Sequence, residues 1–223
     1  MAATKAHHFP HLPDKGAKIC GIKTPADYHH CRDEGAAFIG MVFFEKSPRH
    51  LTFDMARALA EVAVPQGPVR VSLTVNASDD MIKAIAAASH ADMFQLHGTE
   101  SPQRVAEVKA LTNRPVMKAF RVKTPDDITA AKAYYDVADW LLFDADSGNP
   151  DMPGGTGHHF DWSLVSELNP PVPWMLAGGL EAENLAQAQA QTPAHYFDVS
   201  SAVEAQKGIK DHKLITNFIN AIK

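Results

Sequence analysis

One unit recurs along the chain: a short apolar run of β-type residues, a polar turn, then an alanine-rich helical stretch. The runs are Lys18–Gly21, Phe38–Phe43, Val69–Val75, Met93–Leu96, Val116–Phe120, Trp140–Phe143, Trp174–Ala177 and Tyr196–Val199. Runs without strict polar alternation suit parallel strands covered by helices on their outer side. Eight such units, spaced roughly 20 to 35 residues apart, predict closure into a (β/α)8 barrel. The length of 223 residues fits one such domain. Local signals agree. Thr24-Pro25, Ser101-Pro102 and Thr124-Pro125 each set a capping hydroxyl before a proline at the first helical position. Asp27, Asp126 and Asp127 add negative charge to a first turn, and Gly35 is placed to stop the first helix. The last segment, Lys210–Lys223, collects Leu214, Ile215, Phe218, Ile219 and Ile222 on one helical face. A doubly wound open sheet is the competing architecture. The first turn, Cys20-Gly21-Ile22-Lys23-Thr24, lacks the G-x-G-x-x-G that a dinucleotide fold would place there.

Composition narrows the function. With 45% hydrophobic and 21% charged residues the chain can build one sizeable core. A net charge of −5 argues against nucleic acid or an anionic membrane as partner, but leaves room for a small anion held by local groups. No run of ~18 apolar residues offers a membrane span. Cys20 and Cys31 make no disulfide framework, so a reducing cytoplasm is expected. Residues 1–17, with His7, His8 and His11, lack a secretory h-region and are expected to be a disordered tail; residues 18–223 form the barrel. The absence of a Walker loop, H-E-x-x-H or paired C-x-x-C gives no case for a metal or nucleotide cofactor.

Active sites of such barrels form at the C-terminal ends of the strands. The first strand ends in Cys20, which taken alone is either a small buried hydrophobe or a functional thiol. Arg49, after the second strand, is either a solvated loop residue or a fork for a carboxylate or phosphate. Asp144 follows Leu141-Leu142-Phe143, where a carboxylate is costly unless paired or useful. The long segment Ala145–His159 after the sixth strand suggests a lid, and it contains Gly154-Gly155-Thr156-Gly157. Ala177-Gly178-Gly179-Leu180, before a helix expected near Glu181, and Asp198-Val199-Ser200-Ser201 end strands seven and eight, where barrels commonly bind phosphate through backbone N–H groups.

In order along the chain, Lys18-Ile19-Cys20-Gly21-Ile22, Lys46-Ser47-Pro48-Arg49, Val75-Asn76-Ala77-Ser78, Gln95-Leu96-His97-Gly98, Lys118-Ala119-Phe120-Arg121-Val122 and Leu142-Phe143-Asp144 make a specific set. The set continues through Gly154–Gly157, Phe160-Asp161-Trp162, Leu176–Leu180 and Phe197–Ser201. From about Lys18 to the C-terminus the chain closely resembles the phosphoribosylanthranilate isomerase family of tryptophan biosynthesis. The resemblance implies an Amadori rearrangement of N-(5-phosphoribosyl)anthranilate without cofactor, in a monomer or homodimer. It implies Asp144 as the acid at the ring oxygen and Cys20 as the base at the C2 proton. Asp144 must then be protonated to donate, and Cys20 must be available as thiolate. Arg49 would hold the anthranilate carboxylate. Gly155, Gly178, Gly179, Ser200 and Ser201 would hold the 5-phosphate. His97 and Asp198 would line the pocket, although a purely structural hydrogen bond suits His97 equally. Two positions depart from the family pattern: Ala202 stands where glycine is usual, and His158-His159 replaces a Lys or His followed by Thr. The histidine-biosynthesis isomerase would carry aspartate at Cys20. A metal-dependent pentose-phosphate epimerase would need His and Asp ligands that do not assemble here. A barrel that only binds the phosphosugar would have lost Cys20 or Asp144.

Overall fold

The computed structural model describes residues 9–145 and 161–222. The strands are β1 (Gly16–Cys20), β2 (Phe38–Phe43), β3 (Val69–Thr74), β4 (Met93–Leu96), β5 (Val116–Val122), β6 (Trp140–Ala145), β7 (Trp174–Leu176) and β8 (Tyr196–Val199). They close into a parallel barrel in sequence order, sealed by β1 against β8 with Lys18 opposite Asp198. The helices between them are α1 (Pro25–Glu34), α2 (Phe53–Val62), α3 (Asp79–Ser89), α4 (Pro102–Thr112), α5 (Pro125–Ala131), α6 (Leu185–Gln191) and α7 (His212–Asn220). Before β7 the described chain carries a 3-10 turn, Trp162–Val165.

The helix ends form for the reasons their residues suggest. The Thr24 hydroxyl accepts from the Asp27 amide and Ser101 from that of Arg104, and Gly35 ends α1 at φ 83°. Two expected boundaries are corrected. The helix after β7 begins at Leu185 rather than near Glu181, because Asn184 first folds a turn by accepting from the Glu181 amide and donating to the Gly179 carbonyl. The C-terminal helix begins only at His212, because Ile209–Lys210 is a strand (β10) paired with Glu204–Gln206 (β9). On that helix Ile215, Phe218 and Ile219 are buried, whereas Leu214 faces solvent.

Strand alternation sorts the side chains into two cores. Ile19, Ile39, Met41, Phe94, Leu141, Phe143, Leu176 and Phe197 face outward and pack beneath the helices. Phe38, Val69, Val71, Met93, Met117, Trp140, Leu142, Met175 and Tyr196 fill the barrel interior. The N-terminal end of that interior is covered by Phe9 and Leu12, and the Tyr196 hydroxyl donates to the Pro13 carbonyl at 2.7 Å. Residues 9–15 therefore lie against the barrel and Gly16 opens β1, whereas the whole stretch to residue 17 was expected as tail; its apolar side chains close an otherwise wet barrel floor. No described helix is long and apolar enough to cross a membrane.

Candidate active site

Following the inward-facing positions upward gives the site. On β1 the inward residues are Lys18 then Cys20. On β4 they are Met93, Gln95 and then His97; on β6, Trp140, Leu142 and then Asp144; on β8, Tyr196 and then Asp198. The apolar interior thus gives way, over one or two residues on each strand, to a polar layer at the C-terminal mouth. Cys20, His97 and Asp144 are each about 5% exposed.

The layer rests on one buried ion pair. Lys18 Nζ, fully buried, donates to Asp198 Oδ1 at 2.7 Å. Burial pulls the Lys18 pKa down, but Asp198 and Cys20 outweigh it and the ammonium ends above its ordinary range. Burial pushes the Asp198 carboxyl up, with Lys18 opposing. The Cys20 thiol is likewise pushed up by burial, against the pull of Lys18, Lys210 and Arg49. Cys20 is therefore a thiol at rest, with three cations placed to stabilise its thiolate when it forms. Cys31, outside the site on the buried face of α1, is pushed up to about 12, again by burial.

Space for the thiol comes from Gly40, its register partner on β2. A Cβ there would lie 2.8 Å from Cys20 Sγ and 3.2 Å from Lys18 Nζ. Gly21, at φ 86°, similarly admits the stem of Arg49, whose Cδ would be 2.8 Å from a Cβ.

Arg49 is buried at the mouth, not a solvated loop residue. Its guanidinium is engaged: Nε and Nη2 bind Glu204 Oε1 and Oε2 at 2.7 and 2.9 Å. Glu204 also accepts from Lys210 Nζ at 3.0 Å and from the Gly208 amide. Despite burial, these donors hold its carboxyl below the ordinary range. Glu204 and Lys210 belong to the β9–β10 hairpin after β8. A substrate carboxylate would thus meet an Arg49 already oriented by one edge, with Nη1 lying outside that fork. Glu204 was missed in the sequence because its partner is 155 residues away.

Asp144 Oδ2 lies 3.6 Å from His97 Nε2, and His97 Nδ1 lies 3.0 Å from Gln95 Nε2. Below the loops, Lys118 Nζ donates to Glu100 Oε2 and to the carbonyls of Leu96 and Gly98, while Glu100 accepts from the amides of Asn76 and Gly98. That network ties the ends of β3, β4 and β5 together directly after His97.

The phosphate candidates are brought together in part. Gly178 and Gly179 follow β7 at φ 92° and 64°, left-handed values that suit glycine. Ser200 follows β8 and donates to the Cys20 carbonyl at 3.2 Å, so it joins the ends of β8 and β1; Ser201 opens a 3-10 turn. Ala202 sits in that turn without a positive φ, so the glycine usual there is not required. Gly155, His158 and His159, and the expected lid from residue 146 on, lie outside the described residues. Among the described residues no group of three or more His, Cys, Asp or Glu side chains is arranged to hold a metal.

The family model described as N-(5'phosphoribosyl)anthranilate (PRA) isomerase matches residues 17–221. The chain is 47% identical over 207 residues to the N-(5'-phosphoribosyl)anthranilate isomerase of Cereibacter sphaeroides, covering 92% of this chain and 97% of that one. It is 45% identical over 206 residues to the enzyme of the same name from Rhizobium rhizogenes, covering 92% of each. Among solved structures, phosphoribosyl anthranilate isomerase from Thermotoga maritima superposes with a TM-score of 0.83 at 32% identity, over 93% of this chain and 98% of that one. A phosphoribosyl anthranilate isomerase in complex with reduced 1-(o-carboxyphenylamino)-1-deoxyribulose 5-phosphate superposes with a TM-score of 0.80 at 31% identity, with the same coverage.

Proposed function

Since the chain belongs to the N-(5'-phosphoribosyl)anthranilate isomerase family and is an isomerase of tryptophan biosynthesis, we propose that its barrel mouth carries out the Amadori rearrangement with Asp144 as acid and Cys20 as base. The observation that carries the assignment is their placement. Both end an inward-facing strand column at the C-terminal face, on β1 and β6, and both are buried there, with Lys18, Lys210 and Arg49 acting on the Cys20 thiol.

The chemistry asks for two proton transfers at separate atoms. Protonated Asp144 gives its proton to the furanose ring oxygen as the C1–O bond breaks, and the anthranilate nitrogen lone pair forms C1=N. Cys20, having released its own proton to solvent with Lys18, Lys210 and Arg49 stabilising the thiolate, then takes the C2 proton. The C2–H electrons become C1=C2 and the nitrogen regains its lone pair, leaving an enolamine that tautomerises to the C2 ketone. Oxidation at C2 balances reduction at C1, so the residues need no external oxidant or reductant. Each positioned proton transfer is worth about 10² to 10⁴ in rate. Lys18 supports the thiolate from below through a charge that Asp198 keeps ionised.

Arg49, oriented by Glu204, faces the anthranilate carboxylate. The backbone of Gly178 and Gly179, with Ser200 and Ser201 and with Gly155, receives the 5-phosphate. His97 and Asp198 line the wall between acid and base. The chain works in the cytoplasm, as monomer or homodimer, on this small phosphosugar and on neither nucleic acid nor membrane. Loss of phosphoribosylanthranilate fluorescence, followed without added metal or cofactor, tests the reading. Wild-type turnover should drop by about 10² or more in folded Cys20→Ser and Asp144→Asn proteins. A folded wild type without turnover overturns the function; undiminished variants overturn the roles.

A further inference from the structure

Asp144 can act as an acid only in molecules where it holds a proton, and the group best placed to deny it one is His97. An imidazolium with Nε2 3.6 Å from Asp144 Oδ2, both buried, would favour the carboxylate. Any device that keeps His97 neutral therefore serves the acid.

The residue behind His97 is Gln95, two positions earlier on β4 and fully buried. Its Nε2 lies 3.0 Å from His97 Nδ1. An amide nitrogen only donates, so Nδ1 must present its lone pair and cannot carry a proton. Neutral His97 then has its hydrogen on Nε2, the nitrogen facing Asp144. The opposite amide orientation would turn Oε1 toward Nδ1. As placed, Gln95 Oε1 is buried without a partner among the described residues. Turning the amide over would instead bury two unmatched N–H donors, and orphaned donors are less tolerated than under-satisfied carbonyls. His97 Nε2 also has no hydrogen-bond partner among the described residues, so it is available to Asp144 once the carboxyl closes the remaining gap.

We propose that Gln95 is a positioning residue for the isomerisation: by donating to Nδ1 it fixes His97 as the neutral Nε2–H tautomer. His97 can then donate to Asp144 Oδ2, leaving Oδ1 to carry the proton aimed at the ring oxygen. His97 is thereby removed from the proton inventory and becomes a neutral clamp on the acid. The inference rests on Asp144 being that acid. Other charges act on the pair as well: Arg121 is the β5 register partner of Asp144, and Asp198, with Lys18 behind it, interacts with both Asp144 and His97. Lys118 and Glu100 neutralise each other under the loop after His97. None of these contacts Nδ1, so the tautomer falls to Gln95.

The test combines nitrogen-15 NMR of the histidines, with His97 assigned by comparison with His97→Gln, and pH profiles of kcat and KM for Gln95→Glu and Gln95→Leu. In wild type, His97 should be the neutral Nε2–H tautomer across the active pH range. In Gln95→Glu a carboxylate acceptor replaces the donor, so Nδ1 should gain a proton and His97 become imidazolium. Then kcat should fall by about 10²-fold with KM little changed. The limb of the profile that reports Asp144 should move to lower pH by about one unit per tenfold lost. Gln95→Leu, which neither donates nor accepts, should fall between. An Nδ1–H tautomer or an imidazolium in wild type overturns the proposal, whether or not the variants fold. Lost activity or stability with an unshifted pH profile overturns it too, since that is what mere packing predicts. Full turnover in Asp144→Asn would instead sink the acid assignment, with the tautomer result standing.

Discussion

Replacing Gly40 with alanine tests whether the base is positioned by the strand beside it. Gly40 has no positive φ, so alanine suits the backbone, and the effect must come from space alone. The new methyl would lie 2.8 Å from Cys20 Sγ, 3.0 Å from Cys20 Cα and 3.2 Å from Lys18 Nζ. Ordinary van der Waals separation is about 3.5 Å or more, so the thiol has to retreat by roughly 0.7 Å. Side-chain rotation relieves the clash with Sγ but not the one with the Cys20 backbone, because Cys20 and Gly40 are paired across β1 and β2. Overpacking of this kind costs about 1–3 kcal/mol. For a chain of this size that lowers Tm by about 2–12 °C. A displacement approaching 1 Å at a reacting group costs about 10² in rate. Gly40→Ala should therefore fold, melt several degrees lower, and lose close to two orders of magnitude in kcat. Fluorescence-monitored turnover and thermal denaturation measure both. Wild-type turnover, with or without a lower Tm, would refute the reasoning, because the clash would then have been absorbed without moving the base.

Two further outcomes follow from the same charges. Glu204→Gln leaves Arg49 and Lys210 without their shared carboxylate, and losing one partner of a buried pair costs about 3 kcal/mol. Urea unfolding should show that loss, and KM should rise more than kcat falls because Arg49 is no longer aimed; an unchanged KM would refute the orienting role. Burial raises the Cys20 thiol, so in a Cys31→Ser background its alkylation by iodoacetamide should still accelerate beyond pH 9. The sign for stability is that of a group raised on folding: its contribution is present below the unfolded thiol value near 9 and is lost as pH climbs through the folded one. A reactivity plateau at about pH 8 or below would refute the burial argument.

How much of this was legible in the residues differs from element to element. Phe38–Phe43, Met93–Leu96 and Tyr196–Val199 were bounded correctly, since an apolar run flanked by turn residues is a local signal. The β9–β10 hairpin was missed because Glu204–Lys210 is short and polar, and its reason to exist is an arginine on the other side of the sequence. Asp144 stood out because a carboxylate closing an apolar strand is costly to bury, whereas Cys20 alone reads equally as a small buried hydrophobe and gains its role from the family resemblance. Gln95, Lys18 and Gly40 did not stand out, since an amide, a lysine and a glycine within a strand look ordinary until the barrel closes.

The repeated unit of apolar run, turn and helix was enough to predict eight strands closing into a barrel and to set the candidate residues at their C-terminal ends, because run length and turn residues are properties of neighbouring positions. The state of those groups was set by closure of the barrel. Closure sets Lys18 against Asp198, Glu204 against Arg49 and Gln95 behind His97, and charge, tautomer and aim depend on through-space distances that no local pattern encodes.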